Sequence, residues 1–326
     1  MTEKNILSKY GCSNGWVRYE NNPVVGDPGD FCCDPSIVKV GNTFKMFMSW
    51  RIDGVIHVAC SESKDGFNWS ERKVVLSPRP DIDWEQDVNR VNAIYHDGKY
   101  KMWYTSQTGP TDETYEQAYV SSELRKRYGD VIGYAESEDG YNWKRLDKPV
   151  MVPDSPWEED VIMCPKVIYD EDQKLFRMWY AGYGWYEAGA LGYAESEDGI
   201  HWTKFSGNPI LTPCQENWFE ANRVSGSEVL HIGDWYYLFY ISYADIYKAT
   251  ISMARSRNGI TNWERHPLNP IIATGLPGDW DCESVYKPSM YYDKANDQWL
   301  MYYNARSFGT ERIGIAIHKG FDLWNA

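Results

Sequence analysis

Asp34 is the acidic residue that most clearly departs from a repeated pattern in the chain. It lies in the segment FCCDPSIVKV, and later copies of this segment place Val91, Cys164, Gly226 and Lys287 at the same position. A carboxyl group transfers a proton in catalysis when its pKa suits the working pH. Because one copy alone is acidic here, Asp34 is predicted to belong to a single shared site.

Glu228 is the second candidate for acid–base chemistry. Two positions further along the same segments, it is the only acidic residue among the five copies. Asp34 and Glu228 would together supply the two carboxyl groups that many acid–base mechanisms use. Alternatively, Glu228 pairs with Arg223 or Lys166 and has a structural role.

Basic residues lie on or beside the first strand of four segments: Arg90, Lys166, Arg223 and Lys287. The formal net charge of the chain is −14, so a basic cluster is unexpected. Such a cluster either neutralises nearby carboxylates or recognises an anionic group, for which arginine offers paired hydrogen bonds.

Another column lies five residues before the proline of each segment or its equivalent, Asn92 or Ser227. It is polar in every copy: Asp30, Asp87, Asp160, Asn222 and Glu283. Its recurrence favours a structural role, although these groups could also bind substrate hydroxyls. Aromatic residues make up 16% of the chain and suit both twisted sheets and substrate stacking. The candidate stacking and contact residues are Trp50, Trp185 and Tyr286.

The elements that carry these residues form a repeat. Phrases such as SESKDGFNW and AESEDGYNW recur five times, about every 60 residues, with four alternating strand patterns around each tryptophan. This pattern predicts an all-β, five-bladed β-propeller with four antiparallel strands per blade, formed as a single domain over 1–326. Residues 15–25 resemble a fourth strand and are predicted to close the ring by completing blade five.

Two local features complete the predicted architecture. The Ser-x-Asp-Gly-x-x-Trp phrases resemble the Asp boxes of sialidases, but their recurrence predicts that each Asp stabilises a turn. A long insertion at 105–130 in blade two, whose centre has a short helical pattern, is either a lid or a contact surface.

The bulk composition excludes several classes of protein. The acidic charge argues against nucleic-acid binding, and the sequence lacks the apolar run of a membrane span. The first residues lack the apolar segment of a secretory signal, which predicts a cytoplasmic protein. Seven cysteines show no metal-binding spacing, and reduced thiols are expected.

The five predicted blades, the phrase DPSI and strands such as GKYKMWYTS resemble the five-bladed glycoside hydrolases of families 43, 32, 62, 68 and 130. The resemblance implies that Asp34 is the general base of an inverting mechanism and that Asp160 tunes the acid. Glu228 is the preferred acid, with Glu220 and Glu283 as further candidates. Met163 stands where family 32 has its acidic residue, which departs from fructosidase chemistry.

Hydrolysis of a short oligosaccharide or glycoside is therefore the expected function. Two alternatives remain open, namely a phosphate-dependent mannoside-like phosphorylase and a non-catalytic glycan-binding propeller. Family 130 has an Asp-Pro-Arg-Ile phrase, and in this chain Ser36 stands in place of its arginine. No cofactor is expected, although a structural Ca²⁺ and inorganic phosphate as co-substrate are both compatible. The protein is predicted to be a monomer or a small homo-oligomer.

Overall fold

A computed structural model describes residues 11–107, 129–184 and 188–325. It contains five four-stranded antiparallel sheets, the blades of a five-bladed β-propeller. The predicted fold is confirmed. The inner strands are buried on both faces, as in the second strand of blade one, where the residues from Phe44 to Ser49 are all buried. The predicted insertion at 105–130 lies mostly outside the described residues, as does Trp185.

The strands follow the predicted order along the chain. Blade one contains β2 (Cys32–Val40), β3 (Thr43–Ile52), β4 (Val55–Ser63) and β5 (Lys73–Leu76), and blade two contains β6 (Asn89–His96), β7 (Lys99–Ser106), β8 (Val131–Ser137) and β9 (Lys144–Arg145). Blade three contains β10 (Ile162–Asp170), β11 (Leu175–Gly182), β12 (Ala190–Ser196) and β13 (Thr203–Lys204), preceded by a 3₁₀ turn at Pro156–Glu158. Blade four contains β14 (Arg223–Ile232), β15 (Trp235–Tyr243), β16 (Ala249–Ser256) and β17 (Glu264–Arg265).

Blade five is completed by the N-terminal segment, as predicted. Its strands are β18 (Ser284–Asp293), β19 (Gln298–Ser307) and β20 (Thr310–Lys319), and β1 (Trp16–Arg18) pairs antiparallel with β20. The pairing covers the outer edge of β20, which would otherwise expose unpaired backbone groups.

Contacts between Cα atoms group the chain into two compact units. The first unit comprises residues 1–37 and 213–326, and the second comprises residues 38–212. Blades four and five lie in the first unit, and blades two and three lie in the second. Strand β2 spans the boundary in sequence, so that Asp34 belongs to the first unit.

The Ser-x-Asp-Gly-x-x-Trp phrases form turns, as predicted. In blade two, Asp139 accepts the backbone N–H groups of Tyr141 and Asn142 at 2.7 and 2.8 Å. These bonds lower the pKa of Asp139, since they stabilise the carboxylate. The corresponding residues Asp65, Asp198 and Asn258 bind backbone N–H groups in the same way. In blade five Lys319 stands at this position, and Asp322, three residues later, accepts the Trp324 N–H instead.

Four blades also bury a carboxylate that binds both a tyrosine hydroxyl and a basic side chain. In blade four, Tyr240 donates to Glu220 at 2.8 Å, and the Arg265 Nε lies 2.7 Å from the same carboxylate. The other three sets are Glu85 with Tyr104, Arg79 and Arg145; Glu158 with Tyr180 and Lys204; and Asp281 with Tyr303 and Arg18. We refer to these four sets as the buried triads.

All seven cysteines are unpaired, in agreement with the expectation of reduced thiols. Among the described residues, no helix has both the length and the apolar character needed to cross a membrane.

Candidate active site

The first strand of each blade contains an irregularity where the candidate residues lie. In blades two, three and five the pairing skips two residues, and the first residue skipped has a left-handed backbone: Arg90 (φ 49°), Cys164 (φ 54°) and Lys287 (φ 52°). Asp34 has the same conformation in blade one, with φ 55°. Non-glycine residues seldom adopt this backbone, and such strain is concentrated at functional sites.

This geometry corrects the predicted alignment of blade two by one residue. Asn92 pairs with Trp103 as Lys166 pairs with Trp179, so Arg90, not Val91, is equivalent to Asp34. Likewise Gln86, not Asp87, falls in the column that contains Asp160. The column at Asp34 therefore contains one acidic residue and two basic ones.

The backbone of Asp34 is fixed by a side chain of blade five. Its N–H donates to the Asn304 Oδ1 at 3.1 Å. Equivalent bonds occur in the second unit, where the N–H groups of Arg90 and Cys164 donate to Ser49 and Thr105, each at 3.0 Å. The strained position is thus held by a neighbouring β-strand.

Asp34 lies beside a second buried carboxylate, Glu311, which the sequence did not reveal. Asn304 joins them, because its Nδ2 donates to the Glu311 Oε2 at 3.0 Å. Tyr286 donates its hydroxyl to the Glu311 Oε1. The Cys33 thiol lies 3.4 Å from the Asp34 Oδ2. The structure therefore brings the predicted residues Asp34 and Tyr286 into one cluster.

Burial raises the pKa of Glu311 to about 7, and the negative charge of Asp34 adds to this effect. The hydrogen bonds from Tyr286 and Asn304 and the charge of Arg306 act in the opposite direction. Burial and the same carboxylates also raise the pKa of the Cys33 thiol well above its usual range. Glu311 can consequently exchange a proton near neutral pH.

Glu311 could have been found from the sequence by comparing the third strands of the blades as well as the first strands. It pairs with Arg306 near the start of β20. The position equivalent to Glu311 is Asp130 in blade two but Ile56, Gly189 and Ala249 in the other blades.

Lys287 is nearly fully buried, with 3% of its surface exposed. No hydrogen bond or ion pair joins its ammonium group to another residue within 11–107, 129–184 and 188–325. Lys45, another buried lysine, lies 2.5 Å from Glu62. A buried ammonium without an anion is unfavourable, so Lys287 is a candidate binding group for an anion.

Glu228 is buried on β14 and pairs in register with Phe239, directly after the irregularity of blade four. Arg223 lies at the start of the same strand and donates to the Asn222 Oδ1 at 3.1 Å. Glu283 lies 3.5 Å from Arg306. The additional candidate Glu220 belongs to a buried triad, and its ion pair with Arg265 argues against an acid role.

In the second unit, burial raises the pKa of Asp87 to about 7, although Val88 N–H and Arg90 favour its charged form. The Arg90 guanidinium donates to Asn89 at 3.1 Å and to Gln107 at 3.2 Å. Asp87 and Arg90 therefore belong to one polar cluster.

The remaining predicted residues of the second unit are Trp50, Asp160 and Lys166. Trp50 packs under the Arg72 guanidinium at 4.4 Å, so one ring face is occupied. The Asp160 carbonyl accepts the Asp130 N–H at 3.0 Å, and Lys166 is half-buried on β10. Within the described ranges, no group of three or more His, Cys, Asp or Glu side chains is arranged to hold a metal ion.

Comparisons with known proteins agree with this architecture. The sequence profile of glycosyl hydrolases family 43 matches residues 21–318. A 1,2-beta-oligomannan phosphorylase of Thermoanaerobacter sp. (strain X514) is 26% identical over 255 residues, which cover 75% of this chain and 74% of the relative.

Solved structures extend the likeness over nearly the whole chain. A protein described as a glycoside hydrolase has a TM-score of 0.72 at 19% identity and covers 98% of this chain and 96% of its own. A thermostable family-43 glycoside hydrolase has a TM-score of 0.68 at 17% identity, with 90% and 91% covered. At these identities the likeness shows the shared fold.

Proposed function

Since the chain belongs to glycosyl hydrolases family 43, we propose that it hydrolyses a glycosidic bond with Asp34 as the general base. The observation that carries this assignment is the position of Asp34. It is the only acidic residue in a column of strained first-strand residues, it is buried, and its backbone N–H is held by Asn304. A carboxylate carried by a backbone held in this way can orient and deprotonate a water molecule.

Glu228 is the proposed general acid, because it is the other carboxylate of the variable first-strand columns and is buried. In the reaction, the water oxygen attacks the anomeric carbon and Asp34 takes the water proton. The bond from the anomeric carbon to the leaving oxygen breaks, and Glu228 gives that oxygen a proton. This sequence inverts the configuration at the anomeric carbon.

The two roles can be separated by the leaving group of the substrate. An Asp34→Asn variant should lose about 100-fold or more of kcat/KM on every substrate, because the base is needed whatever group departs. A Glu228→Gln variant should lose similarly on oligosaccharides but much less on aryl glycosides whose phenolate leaves without protonation. Equal losses for both variants on both substrate types would overturn the assignment of Glu228.

Phosphorolysis is the second candidate. The buried ammonium of Lys287, which has no partner among the residues that the structure describes, favours it. Phosphate bound there would attack the anomeric carbon in place of water and release a sugar 1-phosphate. Asp34 would then protonate the leaving oxygen through a substrate hydroxyl. The relative described as a 1,2-beta-oligomannan phosphorylase also supports this candidate.

A parallel assay of released sugar and sugar 1-phosphate, with and without inorganic phosphate, distinguishes the two reactions. If phosphate is a substrate, Lys287→Met should raise the KM for phosphate at least about tenfold, the usual scale for a lost charge-assisted bond. Lys294→Met, which alters an exposed lysine, is the control. Sugar release that is independent of phosphate would exclude phosphorolysis.

A further inference from the structure

Two aromatic residues of the first unit are more exposed than is usual for their type. Tyr247 lies in the turn between β15 and β16 with 67% of its surface exposed. Phe308 lies in the turn between β19 and β20 with 78% exposed. Single exposed apolar residues need no explanation. These two, however, are connected to each other and to Asp34 through strand β19.

The turn that contains Tyr247 is held tightly at its backbone. Asp245 accepts the N–H groups of Tyr247 and Lys248 at 2.8 and 2.9 Å. The Tyr247 carbonyl accepts hydrogen bonds from Arg306 at 2.6 Å and from Ser284 at 2.7 Å. The ring is therefore presented by a fixed backbone, which lowers the entropic cost of using it in binding.

Strand β19 relates these aromatic residues to the candidate active site. Alternate residues of a strand share a face, so Asn304 and Arg306 lie on one face of β19. Asn304 contacts Asp34, Arg306 contacts the Tyr247 carbonyl, and Phe308 follows the end of the strand in a turn with φ 52°. At no more than about 3.3 Å per residue, Phe308 is within roughly 13 Å of Asn304 along the chain.

Polar groups that can bind sugar hydroxyls lie beside Arg306, which stands between Asn304 and Phe308 in the sequence. Arg306 lies 3.5 Å from the Glu283 Oε2, and its guanidinium also approaches the Ser284 hydroxyl at 3.4 Å. The Glu283 carboxylate is partly exposed, and its second oxygen makes no hydrogen bond to the described residues. Aromatic faces beside a few fixed polar groups are typical of carbohydrate-binding sites.

We propose that Tyr247 and Phe308 form a distal subsite that stacks on a further sugar unit of an oligosaccharide, with Glu283 accepting one of its hydroxyls. This proposal rests on the proposed function, because it places the scissile bond at Asp34. It specifies the substrate as an oligosaccharide that extends beyond the cleaved unit. Stacking of this kind is expected to contribute about threefold to twelvefold per ring.

The test compares substrates of increasing length in Tyr247→Ala, Phe308→Ala and the double variant. The ratio of kcat/KM for a tetrasaccharide to that for an aryl monosaccharide should fall about threefold to twelvefold in each single variant, and further in the double variant. Leu268→Ala, which removes an exposed apolar side chain elsewhere in the first unit, should leave the ratio unchanged. Equal losses on both substrates, or no loss on either, would overturn the proposal.

A binding measurement separates this proposal from the assignment of Asp34. Calorimetric titration of Asp34→Asn with di-, tri- and tetrasaccharides should show affinity that rises with length. Adding Tyr247→Ala should reduce the rise, and adding both Tyr247→Ala and Phe308→Ala should abolish it. If Asp34→Asn remained fully active while the Tyr247 effect persisted, the assignment of Asp34 would fail and the subsite would stand. Affinity independent of length and of Tyr247 would overturn the subsite.

Discussion

The buried triads and the Asp34–Glu311 cluster both place carboxylates inside the protein, yet they differ in what surrounds those carboxylates. Each triad carboxylate has a tyrosine hydroxyl and a basic side chain in direct contact, as Glu158 has Tyr180 and Lys204. Glu311 has hydrogen bonds from Tyr286 and Asn304, no ion pair at contact distance among the described residues, and the charges of both Arg306 and Asp34 acting on it in opposite directions.

The difference lies in the groups that each buried carboxylate contacts. A carboxylate that contacts both a cation and a tyrosine hydroxyl joins two parts of a blade. A carboxylate that is buried beside another negative charge, with neutral hydrogen-bond donors, has a pKa near neutrality. The first kind recurs in four blades, whereas the pairing of Asp34 with Glu311 occurs once among the described residues.

The largest effect is expected for a triad. Replacement in Glu158→Ala would leave Lys204 without its buried partner and would remove the acceptor of the Ser155 N–H, which lies 3.0 Å from Glu158. Breaking a buried pair in this way lowers the free energy of unfolding by about 3–5 kcal/mol. Urea denaturation measures the loss. A change below about 1 kcal/mol would contradict the structural role.

A smaller, pH-dependent effect is expected for Glu311→Gln. The pKa of Glu311 is about 7 in the folded protein and about 4.3 in the unfolded chain. Below pH about 4.3 both states are protonated and the folded state keeps its full stability. As the pH rises towards 7, the unfolded chain releases its proton first, so stability falls by up to about 1.4 kcal/mol per pH unit.

The glutamine variant should lose this pH dependence. Urea denaturation of the wild type and Glu311→Gln at pH 5 and pH 8 measures the difference. Asp87→Asn is the matched comparison in the second unit, because burial also raises the pKa of Asp87 to about 7. If Glu311→Gln and the wild type kept the same slope between these pH values, Glu311 would have an ordinary pKa.

The smallest effect is expected for Tyr286→Phe, which removes one donor from the Glu311 carboxylate. Loss of that hydrogen bond disfavours the ionised form, so the pKa of Glu311 should rise. The pH at which stability stops falling should move upward by about one unit, equivalent to about 1.4 kcal/mol. Addition of Glu311→Gln should abolish the shift, and a shift that persisted would assign it to another group.

Local patterns in the sequence were sufficient for most of the fold. Alternating apolar residues predicted the strands, and the recurring Asp-Gly-x-x-Trp phrases predicted the turns that Asp139 and its equivalents form. These features depend on residues close together in the chain. The same comparison of repeats singled out Asp34, whose role as a base remains a prediction.

The candidate site was predicted less completely. Glu311 was missed because it lies on a third strand at the opposite end of the chain from Asp34, and only the first strands were compared. Blade two was misaligned by one residue, since it lacks the proline that marks blades one, three and five, and its two skipped residues, Arg90 and Val91, could not be recognised from their types.

The sequence by itself determined the number of blades, their strand order and the residue that makes blade one unlike the others. Periodic burial and turn formation depend on residues a few positions apart, so the sequence specifies both. Only the tertiary structure decided that Asn304 joins Asp34 to Glu311, and that Lys287 is buried without an anion in the described ranges. The charge state of a side chain depends on desolvation and on neighbours distant in sequence, which the order of residues does not specify.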